Sequence, residues 1–66
     1  GDEETINMHI HPGQEFNMVW EGRMNLILGD KHFILEPGDS IYYDANQPHC
    51  MRALDNKTLK FVAIIF

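Results

Sequence analysis

Apolar and polar residues alternate along this chain in short runs, and nearly every run is bounded by residues that turn a backbone. Ile6, Met8 and Ile10 alternate with Asn7, His9 and His11. After Pro12-Gly13, Phe16, Met18 and Trp20 alternate with Glu15, Asn17 and Val19. A period of two puts successive side chains on opposite faces of a strand, and no sustained helical period competes with it. The pattern predicts seven strands, over residues 5–11, 14–21, 23–28, 31–35, 40–43, 49–54 and 58–66. The punctuation agrees. Gly29-Asp30 is a two-residue hairpin signal. Glu36-Pro37-Gly38-Asp39 suits a type II turn, with Pro setting φ at one central position and Gly accepting positive φ at the next. Asp55-Asn56-Lys57 turns the chain before the last run. Short strands joined by tight turns indicate an all-β antiparallel sandwich or barrel.

The last run is apolar on both faces, with Leu59, Phe61, Ala63 and Ile65 on one and Val62, Ile64 and Phe66 on the other. Such a strand is expected to pack on both sides, against the barrel interior and against a partner, most simply a second copy of the chain. Trp20 faces away from the interior, towards a sheet-packing or dimer surface. Cys50 alternates away from His49 and is expected to be a buried thiol. His32, near a hairpin tip, is expected to be solvated.

Sixty-six residues form a single domain, 1–66, with a marginal core that a metal, a second subunit or a neighbouring segment would help stabilise. The net charge of −5 and the absence of a basic run argue against direct nucleic-acid binding. No leader-like segment and no apolar stretch of membrane-spanning length is present. One cysteine excludes an internal disulfide framework and fits a reducing cytoplasm.

Candidate chemistry lies in the histidines. His9 and His11 occupy alternate positions of one predicted strand and share a face. The turn at Pro12-Gly13 would bring Glu15 back beside them, and His49 follows in a second block. Alone, His9 and His11 are ordinary strand histidines, and Glu15 a hairpin surface residue. Together with His49 they make a plausible ligand set for a divalent transition metal, Fe, Mn, Ni, Zn or Cu. With these ligands facing inward, Asn17, Val19, Ile41, Tyr43, Met51 and Phe61 face inward too. Tyr43 and Met51 could touch a bound ligand; for Val19, Ile41 and Phe61, core packing is the simpler reading.

These residues resemble the cupins, small barrels of double-stranded β-helix or jelly-roll type. The first cupin motif is matched throughout: His9-x-His11, three residues, Glu15, six residues, Gly22. In the second, Gly38 and His49 are in place, while Asp44, Asn46 and Ala53 depart from the family's Pro, Gly and Asn. The resemblance implies that His9, His11, Glu15 and His49 point into the barrel around a metal with open positions. It implies a pocket for a small organic ligand that includes Asn17, Tyr43, Met51 and Phe61. Family barrels usually have strand residues before the His-x-His; here only about eight precede it. That predicts an edge strand that is missing, swapped from a partner or supplied by an upstream segment. The runs 15–22 and 38–44 are similar to the sensor domains of bacterial helix-turn-helix regulators. The expectation is therefore a homodimeric, metal-binding sensor of a small molecule. The alternative is a small metal-dependent dioxygenase, isomerase or decarboxylase acting on a small organic acid.

Overall fold

A computed structural model of the chain describes residues 8–66. Six strands follow one another: β1 (Gln14–Glu21), β2 (Met24–Leu28), β3 (Lys31–Leu35), β4 (Ser40–Asp44), β5 (His49–Ala53) and β6 (Lys60–Ile65). They form two antiparallel three-stranded sheets, ordered β4-β1-β6 and β3-β2-β5. The fold is all-β, as the alternation predicts, and of the jelly-roll type that the resemblance implies.

Each predicted strand from residue 14 onward is present, shifted by a residue or two at its ends. The strand expected over 5–11 lies partly outside the described residues; within them it is reduced to one bridge, His9 to His49. The turns follow their chemistry. Gly38 has φ of 92° and the Asp39 N–H donates to the Glu36 carbonyl at 2.8 Å, as a type II turn requires. Asp55 and Asn56 both have positive φ and the Lys57 N–H donates to the Leu54 carbonyl at 3.2 Å. That geometry is a type I′ turn, which Asp and Asn tolerate better than other side chains. It ends β5 and delays β6, so the sixth and seventh predicted runs are shorter than expected.

The core lies between the sheets. Val19 from β1, Met24, Leu26 and Leu28 from β2, Leu35 and Tyr43 form one buried cluster, with Ile41, Met51, Leu59 and Phe61 packed on it. On β1 the inward face is the mixed one. Glu15, Asn17 and Val19 are buried, while Phe16 and Met18 are half-buried on the other side and Trp20 is exposed. Cys50 is buried beside its register partner Ile27, and His32 is exposed, as expected.

Of the two apolar faces of the last run, the inner one packs on the core through Leu59 and Phe61, and the outer one is open within this single chain, where the expected partner would lie. β6 hydrogen-bonds to β1 and, among the described residues, forms an edge of its sheet. Ile64, Ile65 and Phe66 are 45%, 62% and 67% exposed. Register puts Ile65 opposite Glu15 and so on the inner face, but the sheet ends at β6 and nothing described closes over it. An apolar pattern reports what a strand prefers; only its place in the sheet decides what covers it.

Candidate metal centre

The centre is assembled from three parts of the chain. Glu15 is the second residue of β1, and His49 begins β5 in the facing sheet. His11 lies just before the Pro12-Gly13 turn, and its backbone is fixed by an N–H bond to the Ala45 carbonyl at 3.0 Å, while the Ala45 N–H donates to Gly13 at 2.9 Å. Nitrogen and oxygen atoms of His11, Glu15 and His49 all lie within 4.8 Å of one another. The Nε2 atoms of His11 and His49 each stand 3.3 Å from Glu15 Oε1. Glu15 and His49 are almost fully buried, and His11 is partly exposed. His9 is brought near but not in. Its backbone pairs with that of His49, at 2.8 and 2.9 Å, and its ring centroid is 6.2 Å from that of His49. The side chain is exposed and lies outside the three-residue cluster.

The hydrogen bonds of the two rings fix what these atoms can do. His49 Nδ1 lies 2.9 Å from the Gln47 carbonyl and His11 Nδ1 lies 3.2 Å from the Pro12 carbonyl. A carbonyl only accepts, so each Nδ1 carries a proton. In the neutral rings each Nε2 then presents a lone pair to the same carboxylate oxygen. Three electron-pair donors then converge on one point, an arrangement that a cation between them satisfies. Ligating histidines commonly donate their remote N–H to a backbone carbonyl in this way. The residues present therefore fit a divalent transition metal, and such an ion is the cofactor of this centre.

Below the carboxylate lies a short polar chain. Asn17 Nδ2 donates to Glu15 Oε2 at 3.0 Å, and the Tyr43 hydroxyl donates to Asn17 Oδ1 at 2.9 Å. Without a metal, Nε2 of either ring can instead carry a proton; burial alone would raise the Glu15 carboxyl pKa, but hydrogen bonds from Asn17 and from protonated His11, and the charge of protonated His49, hold it below the ordinary carboxylate range. Burial and the neighbouring Glu15 carboxylate push the Tyr43 phenol well above its usual value. Tyr43 is a hydrogen-bond donor here and not a base.

All four residues expected in a pocket, Asn17, Tyr43, Met51 and Phe61, are on the inward side, buried or half-buried. The polar atoms of Asn17 and Tyr43 are engaged with each other and with Glu15. What the sequence did not reveal is the pair of carbonyls, Gln47 and Pro12, that set the ring tautomers. Backbone partners leave no residue-type signal.

The sequence matches the cupin domain family over residues 1–65. The chain belongs to the cupin family. No curated protein sequence matches this cupin significantly. Among solved structures it is similar to Fe(II) HppE, with a TM-score of 0.82 and 30% identity over 98% of this chain and 35% of that one. It is equally similar, at 0.82 and 30%, to the hydroxypropylphosphonic acid epoxidase from S. wedmorenis in complex with fosfomycin, over 98% of this chain and 36% of that one. This cupin thus spans about a third of the length of these relatives. Among the described residues, no helix is long and apolar enough to cross a membrane.

Proposed function

We propose that this cupin is a mononuclear metal centre of the two-histidine, one-carboxylate type, built for enzymatic chemistry on a small organic acid. His11, Glu15 and His49 hold the ion. The observation that carries the reading is the convergence of two imidazole lone pairs and one carboxylate oxygen in a buried site. Three protein donors with open positions are characteristic of non-haem Fe(II) oxygenases. The likeness to Fe(II) HppE at 30% identity supports iron over the other candidates. When bound, the ion supplies a Lewis acid and, if iron, one-electron chemistry. The chain supplies the rest. Asn17 holds the carboxylate and Tyr43 holds Asn17, and the hydrophobic core on which Met51, Phe61, Ile41 and Leu59 pack includes Tyr43.

This ordering reverses the expectation from sequence, which put the sensor of a regulator first. The sensor reading keeps one supporting observation: Tyr43, among the described residues the one inward-facing acid–base candidate besides the ligands, is held protonated. An enzyme whose metal does the chemistry needs no such base. Metal analysis with oxygen-uptake assays on small acids separates the two. One equivalent of iron, lost in His11→Ala and His49→Ala, with substrate-dependent uptake supports the enzyme. Stoichiometric metal with ligand binding and no turnover supports the sensor.

A homodimer remains part of the proposal. Exposed Trp20, Tyr42 and Ile64 on the outer face of β4-β1-β6 support it. Sedimentation of the wild type against Ile64→Lys tests it; identical monomer mass in both counts against it.

A further inference from the structure

The two oxygens of Glu15 are not equivalent. Oε1 faces both histidine nitrogens at 3.3 Å, whereas Oε2 accepts the Asn17 amide at 3.0 Å. Asn17 is fully buried, two residues beyond Glu15 on the same face of β1. Its amide could in principle sit either way round. The reversed orientation would aim the amide oxygen at a carboxylate oxygen, which is repulsive. The Tyr43 hydroxyl, from the residue paired with Glu15 across β4, donates to Asn17 Oδ1 at 2.9 Å and reinforces the orientation in which the N–H points at Glu15. The alternative acceptor for that hydroxyl, the Met51 sulfur, lies 3.9 Å away and is weak. The amide donor and its tyrosine brace therefore form a two-residue clamp on one oxygen of the carboxylate.

We propose that Asn17, oriented by Tyr43, is a positioning residue that restricts Glu15 to ligation through a single oxygen and so keeps a coordination position open for substrate. This inference rests on the proposed metal centre. A carboxylate whose second oxygen is free can bind a metal through both, which would occupy one of the open positions. A buried N–H donor at Oε2 competes directly with that mode, and removing it takes away the reason for Oε1 to bind alone.

The test uses Mn(II), whose exchangeable bound waters are counted by water-proton relaxivity, in the wild type, Asn17→Leu and Tyr43→Phe. A six-coordinate ion with three protein donors has three open positions. Closing one lowers the relaxivity per bound ion by about a third. Asn17→Leu is expected to show that loss while still binding one equivalent. Tyr43→Phe, which deletes only a hydroxyl, is expected to fall between it and the wild type. Variants that bind Mn(II) with wild-type relaxivity would overturn the clamp even if both melt at lower temperature, because a purely structural role changes stability and not water count. Should Asn17→Leu fail to fold, Tyr43→Phe decides alone. Wild-type protein that binds no Mn(II) would instead refute the metal centre itself, and the clamp with it.

Discussion

Removing the metal should cost this small domain a large share of its stability. Without a metal ion, two imidazole nitrogens each stand 3.3 Å from one carboxylate oxygen in a buried site, with only protons to hold them together. A 66-residue domain carries on the order of 3–10 kcal/mol in total, at about 0.05–0.15 kcal/mol per residue. An ion that binds only the folded state adds about 2.7 kcal/mol when its free concentration is about a hundred times Kd. With an unfolding entropy of about 2.1 cal/mol/K per residue, that corresponds to roughly 15–20 °C in Tm. The assay is anaerobic thermal unfolding by circular dichroism, first with chelator and then with rising Fe(II) or Mn(II). His49→Ala is the control. It should start from a lower Tm, because His49 is 1% exposed and leaves a cavity, and it should not respond to metal. A wild-type Tm indifferent to metal, or an equal rise in the variant, would refute the reasoning.

Three further outcomes follow from the same geometry. His9→Ala should retain one equivalent of metal, since the His9 side chain is exposed and outside the donor cluster; loss of the ion on elemental analysis would restore His9 as a fourth ligand. Gly22→Ala should destabilise by more than about 1 kcal/mol in urea unfolding, because Gly22 has φ of 80° and a Cβ there would run into the Thr58 carbonyl oxygen; a variant as stable as wild type would contradict the structure at that turn. In the metal-free protein, burial works to raise the Glu15 carboxyl, but Asn17, His11 and His49 together hold it below its ordinary value of 4.5. The stability it contributes is therefore present above pH 4.5 and lost as pH falls through the lower folded value. Glu15→Gln should flatten that acid loss in a Tm-against-pH series, and an unchanged slope would argue against the carboxylate's role.

Much of the site was legible in the spacing of a few residues. His11, Glu15 and His49 stand out because alternation fixes which side chains share a face, and because Pro12-Gly13 can only fold the chain back. The buried position of Asn17 was readable once Glu15 was taken to face inward. Hydrophobicity alone would have turned β1 the other way, with Phe16, Met18 and Trp20 inside. His9 shows the limit of spacing: two residues from His11 and on the same predicted face, it nevertheless has its side chain outside the cluster.

The sequence by itself determined the strand pattern, the turns and the residue types of the centre, because these depend on local backbone preference and on chemistry carried by single residues. Tertiary structure alone decided which three donors meet, which oxygen of Glu15 faces them, and which ring nitrogens carry protons. It also decided that, among the described residues, β6 is a sheet edge, with Ile64 and Ile65 exposed despite their apolar character. Each of these depends on the distance between segments far apart in the chain, or on a backbone carbonyl that every residue has, and neither is written in residue type.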